Sequence, residues 1–224
     1  MKTETNQITG GANMARRSFL RYAGASAAAV AVLGAASCSK DKNVTNGGTD
    51  IGSGDIGVLN FAYALEQLEA AFYIQVAATP YGGMSSIETS YLTDIRDHEV
   101  LHRDFFKQAL GSSAIMALTP DFSKINFGDR ASVLGAAKLF EDTGVRAYDG
   151  AGYLIKDVKY LAVAGKIVSV EARHAALISN LLTPGSFVAS DQVDANGLNY
   201  TNTIPEILAA ANGFLKTKVT ANNF

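Results

Sequence analysis

Four stretches of this chain place an apolar residue at every third or fourth position, and the same row of each stretch carries an ionisable side chain near its middle. In the first, Leu59, Ala62, Glu66, Glu69, Tyr73 and Val76 fall on one helical stripe; in the second, Leu92, Ile95, Glu99, His102, Phe106 and Ala109 do the same. The third (Leu134, Ala137, Glu141, Gly144, Tyr148, Ala151) repeats the first, and the fourth (Ala164, Ile167, Glu171, His174, Ile178, Leu181) repeats the second. The chain therefore reads Glu-x6-Tyr and then Glu-x2-His, twice over. A core-facing row tolerates carboxylates only where something offsets their charge, so this duplication restricts both the fold and the chemistry.

The periodicity predicts helices at about 57–79, 86–110, 129–150 and 153–182, and no segment reads as a strand pair. Thr79-Pro80-Tyr81-Gly82-Gly83 breaks the first helix, Ser85 or Ser86 can cap the second, and Gly111 ends it. Asp129 can cap the third, and Gly150 with Gly152 marks a tight junction to the fourth. Short connections make two antiparallel hairpins. The link from Gly111 to Gly128 can span about 60 Å extended, against about 37 Å for a 25-residue helix, so it can run the length of a bundle. The expected fold is all-α: a four-helix bundle with a long crossover between helices 2 and 3. Thr203-Ile204-Pro205-Glu206 opens a short extra helix through about Lys216 that should pack outside it.

In antiparallel hairpins the four mid-helix glutamates meet at one level. Glu-x2-His sets both side chains on one face about a turn apart, where they can bind a common ion pair, and Glu66 and Glu141 can bridge or chelate. One such motif is more often a solvated helix face; two in symmetric register with two further core-row glutamates favour metal. The single cysteine, Cys38, excludes an internal disulfide, a thiolate cage and an iron–sulfur cluster held by this chain, leaving oxygen and nitrogen ligands. Such a set suits iron or manganese better than zinc, which favours four tetrahedral ligands. The near-neutral net charge of −2, with no basic run after the leader, argues against nucleic-acid binding.

These motifs, with the strings Leu65-Glu66-Gln67-Leu68-Glu69-Ala70-Ala71-Phe72-Tyr73 and Glu171-Ala172-Arg173-His174-Ala175-Ala176, resemble the ferritin-like superfamily, in particular exported bacterial members related to desiccation-related proteins. The similarity covers roughly 56–217. Carried over by motif, it implies Glu66, Glu99, His102, Glu141, Glu171 and His174 as ligands of two iron ions, with two manganese ions as the alternative. It also implies Tyr73 and Tyr148 as tyrosines that orient ligand carboxylates, although both could be plain core residues. Glu69, whose repeat counterpart is Gly144, could be an extra ligand, a proton acceptor or a rim residue beside the glycine gap. His98 points about 100° from Glu99 and reads as a surface or partly buried structural histidine, and Arg96 and Arg173 as surface or carboxylate-pairing residues. The implied activity is oxidation of ferrous iron with dioxygen or peroxide. The alternatives are a di-manganese catalase-like enzyme and a non-catalytic envelope or stress-related binding protein of the desiccation-related type. No Cys-x2-Cys module supplies an internal electron-transfer partner.

Ahead of the helices, Arg16-Arg17-Ser18-Phe19-Leu20-Arg21 and the weakly apolar stretch from Tyr22 to Ala36 resemble a twin-arginine export signal. Ala35-Ala36-Ser37-Cys38 resembles a lipoprotein processing site, so the expected location is the periplasm or cell envelope, with membrane contact only through a lipid on Cys38. The organisation is then a leader over 1–38, a flexible Gly/Asn/Asp/Ser/Thr-rich linker over 39–56, the helical domain over 57–217 and a tail over 218–224.

Overall fold

The computed structural model describes residues 44–45, 48–188 and 190–224. The expectations for residues 1–38, including Arg16, Arg17 and Cys38, lie outside the described residues. Four long helices, α1 (Gly54–Ala78), α2 (Ser86–Leu110), α3 (Arg130–Ala151) and α4 (Val158–Leu182), are followed by a short α5 (Ile204–Ala211). Helices α1 and α2 pack as one hairpin, α3 and α4 as the other, and α5 lies against α1 and α3. Among the described residues no helix is long and apolar enough to cross a membrane.

Helix boundaries follow local chemistry. Ser85 and Glu88 form a reciprocal capping box at the start of α2, and Asp129 accepts from Ser132 N at 2.7 Å to open α3. Gly111, at φ +52°, ends α2. The fourth helix starts at Val158, five residues later than its periodicity suggests, because the junction amides are taken elsewhere. Asp55 accepts from Lys156 N (2.9 Å) and Asp157 N (2.8 Å), and Asp157 caps the helix through Lys159 N (2.8 Å). Residues Gly152–Leu154 form a 3-10 turn in between. At the other end of the chain the regular helix stops at Ala211 and a 3-10 turn, Asn212–Phe214, follows, so it does not reach Lys216.

The crossover lies along α1, which is buried on nearly every side. Two buried amides two turns apart on α1 fasten it. Asn60 donates to Ser113 O (3.0 Å) and accepts from Ile115 N (2.9 Å), and Gln67 accepts from Leu118 N (2.8 Å). Farther along, Phe72 packs edge-on against Phe122 with ring centres 5.9 Å apart. The crossover thus carries the chain from the end of α2 back to Arg130, whose guanidinium meets Glu88 at the start of α2. Helices α2 and α3 therefore run parallel, antiparallel to α1 and α4.

A small sheet departs from the expectation of no strands. Strand β1 (Val44–Thr45) pairs antiparallel with β2 (Gly48–Asp50), and β2 pairs parallel with β3 (Val219–Thr220). Linker and tail residues that alone lack a helical period thus satisfy each other's backbone groups. Gly48 is obligatory there: at φ +129° a Cβ would sit 2.3 Å from Lys218 O.

Gly150 is the penultimate residue of α3, and its role is close approach. A Cβ there would stand 2.0 Å from Asn202 O, a backbone atom of the returning loop, whereas a Cβ at Gly135 on the same helix meets nothing within 4 Å. The two substitutions should differ in sign. Gly135→Ala is expected to stabilise the protein by about 0.5–1 kcal/mol through helix propensity. Gly150→Ala should destabilise it by about 1–3 kcal/mol through overpacking. Urea unfolding of the two variants checks this.

Candidate metal centre

Each long helix delivers its mid-point side chains to one level of the bundle. Glu66, Glu99, Glu141 and Glu171 have no exposed surface, and His102 and His174 are also buried. His102 Nδ1 lies 2.9 Å from Glu171 Oε1 and 3.5 Å from Glu66 Oε2. The repeat-related set matches it closely: His174 Nδ1 lies 2.8 Å from Glu99 Oε1 and 3.4 Å from Glu141 Oε2. The duplication seen in the sequence is thus an approximate two-fold arrangement of side chains in space.

Two overlapping groups result, Glu66, Glu99, His102 and Glu171 in one and Glu99, Glu141, Glu171 and His174 in the other. The ligand atoms within each group lie within 4.8 Å of one another. Glu99 and Glu171 belong to both. The shared position therefore falls to the glutamates of the two Glu-x2-His motifs, while Glu66 and Glu141 each serve a single group, the chelating rather than the bridging alternative.

The unused atoms of the cluster test whether cations fit it. Glu66 Oε2, both oxygens of Glu99, His102 Nδ1, Glu141 Oε2, both oxygens of Glu171 and His174 Nδ1 are buried without a hydrogen-bond partner. All six sequence-predicted ligands contribute to that set. Buried polar atoms are normally paired, and leaving one unpaired costs about 1–3 kcal/mol. Imidazole nitrogens and carboxylate oxygens that converge without hydrogen-bond geometry have the donor chemistry of a hard-to-borderline cation site.

The two carboxylate oxygens that face away from the cluster are occupied. Tyr73 Oη of α1 donates to Glu141 Oε1 of α3 at 2.5 Å, and Tyr148 Oη of α3 donates to Glu66 Oε1 of α1. The pairs are swapped between antiparallel helices. Each tyrosine sits two turns beyond its own helix's glutamate, and helical side chains lean toward the N-terminus, back to the level of the cluster.

Without a cation the cluster gathers protons. Burial lifts Glu66 to about 7 against the pull of His102. Burial, then the charges of Glu99, Glu66 and Glu141, raises Glu171 well above the usual carboxylate range, although His102 opposes this. Burial alone would depress His174, but Glu141 and Glu99 outweigh it and push the imidazole up to about 11. Burial would likewise raise Glu99, yet the two imidazoles hold it down to about 2. Imidazolium and carboxylic acid thus stand in for positive charge that the site otherwise lacks.

Glu69 is buried but belongs to neither group. Its Oε1 approaches the backbone of α3 at Gly144, where a Cβ would lie 3.1 Å from it and 3.4 Å from Glu171 Oε2. The glycine in the repeat makes room for the extra carboxylate. Glu69 also borders a small cavity of about 20 Å³ lined by Leu68, Leu139, Phe140, Thr143, Ala211 and Phe214. Of its three sequence readings, this placement matches the residue beside the glycine gap.

His98 lies at the surface as expected, and it also meets a predicted ligand. Its ring is exposed, yet its Nδ1 lies 2.9 Å from Nε2 of His174, with the two ring planes 7° apart. The informative sequence signal is its spacing of four residues from His102, which places both on one side of α2, rather than its adjacency to Glu99. Arg96 pairs with Asp97 through a 2.8 Å contact.

A family model described as a ferritin-like domain matches residues 54–184, more than half of the 224-residue chain. No curated protein matches. Tyr73→Phe and Tyr148→Phe should each remove one hydrogen bond from a fully buried carboxylate. A loss of about 1–3 kcal/mol in urea unfolding is expected for each, of similar size given the two-fold relation. A neutral result for both would show that the hydroxyls do not support Glu141 and Glu66.

Proposed function

The chain belongs to the ferritin-like domain family, and on that premise we propose that it is an exported di-metal protein that holds two iron ions and oxidises ferrous iron with dioxygen or peroxide. The observation that carries this reading is the set of eight orphaned donor atoms on the six predicted ligands. Glu66 and His102 would hold one ion and Glu141 and His174 the other, with Glu99 and Glu171 reaching both. Four carboxylates and two divalent cations balance in charge, which relieves the repulsion that otherwise forces protons into the site. The oxygen-rich donor set with two imidazoles favours iron over zinc. Bound iron supplies the one-electron redox change that the reaction needs. The chain's own residues orient the carboxylates through Tyr73 and Tyr148 and keep bulk water out with Phe72, Ile95, Leu134 and Ile178.

Export rests on the paired Arg16-Arg17 and the apolar stretch after them, and anchoring rests on a lipid at Cys38. Cell fractionation checks both. The protein should be found in the envelope, and Cys38→Ala should release it from the membrane fraction; cytoplasmic protein would end the proposal.

The shared and unshared glutamates give distinct outcomes. In metal analysis and ferrous titration, the wild-type chain should take up two ions. Glu66→Ala or Glu141→Ala should cost one ion first, whereas Glu99→Ala or Glu171→Ala should weaken both. Loading must displace protons from His102 and His174, so affinity should fall as pH is lowered from about 8 to about 6. Oxygen and peroxide consumption after ferrous addition tests turnover. Preferential manganese loading with peroxide disproportionation would favour a catalase-like enzyme, and stoichiometric loading without consumption would leave a binding protein.

A further inference from the structure

The two halves of the cluster differ behind the histidines. If His174 offers Nδ1 to a cation, the lone pair on that nitrogen is committed and the ring's proton must sit on Nε2. Nε2 can then only donate, and the atom it meets, at 2.9 Å, is Nδ1 of His98. The two rings are nearly parallel, with centres 5.2 Å apart, and the exposed flank of His98 leaves its own proton on the solvent side. The repeat places Val170 where His98 stands, since Glu99 and Glu171 correspond. A valine offers no acceptor, and among the described residues His102 Nε2 has no hydrogen bond of this kind.

We propose that His98 is a positioning residue that fixes the tautomer and ring plane of His174, so that the two metal positions are unequal and the Glu141–His174 position fills first. An acceptor behind a ligating imidazole raises its basicity and stops the ring from turning, and removing such a partner typically costs about 10–100-fold in metal affinity. The acceptor here is a surface imidazole, so the tighter position lies directly beneath the solvent-facing side of α2.

The inference rests on the di-metal reading, and the test separates the two. Metal-stripped full-length protein is titrated with cobaltous ion, whose visible absorption reports each ligand sphere, and the isotherm is compared with that of His98→Val and His98→Gln. Wild type should load in two resolved steps. His98→Val, which copies the repeat's own residue, should weaken the first step by about 10–100-fold and merge it with the second, leaving the metal-free melting temperature close to wild type. His98→Gln, which retains an acceptor, should recover most of the first step. Two equal steps in wild type, or no change in His98→Val, would overturn the role of His98 while leaving the paired site intact. Absence of cobalt binding in wild type would instead remove the di-metal reading itself.

Discussion

Four carboxylates buried at one height in a helical bundle are the constraint on which the rest of this structure depends. Each buried charge costs several kcal/mol unless it is compensated, and the compensation is visible at every level. Two imidazoles stand between the glutamates, two tyrosines cross the bundle to the outward oxygens, and the remaining donor atoms converge on shared space. For this to work the helices must agree in height to within a fraction of a turn. That agreement is imposed from outside the cluster, by a crossover fastened to Asn60 and Gln67 and by Asp55 fixing where α4 can begin.

The duplicated sequence makes the cluster nearly two-fold, and the places where the symmetry fails carry the most information. Glu69 has a glycine as its counterpart, so one flank of the cluster holds a fifth buried carboxylate beside a cavity under the C-terminal helix. His98 has a valine as its counterpart, so one histidine is backed by a second imidazole. These departures lie on different helices and at different distances from the cluster. A centre that only stored charge symmetrically would need neither.

Much of the architecture was legible because helical period and core chemistry coincide. The stripes through Glu66, Glu99, Glu141 and Glu171 identify four helices and the level at which they meet, and the long stretch after Gly111 identifies the crossover. What was not legible depends on contacts between segments distant in sequence. The start of α4 is set by Asp55, a hundred residues earlier. The strands at Gly48–Asp50 and Val219–Thr220 exist only because the two ends of the described domain meet, and Gly150, which marks the end of α3 as its sequence suggests, also makes room for Asn202, which the sequence does not show. Which glutamates are shared between groups follows from side-chain direction in the assembled bundle, which spacing along one helix does not determine. The contact of His98 with His174 was not legible because adjacency to Glu99 says little about direction, whereas spacing from His102 says more.

The most direct test of a paired cation site is anomalous diffraction from crystals of the full-length protein grown with manganous ion. Two anomalous peaks per chain are expected, one beside Nδ1 of His102 and one beside Nδ1 of His174, with Glu99 and Glu171 touching both. Peaks confined to surface carboxylates, with the six buried groups bonded only to one another, would contradict the account.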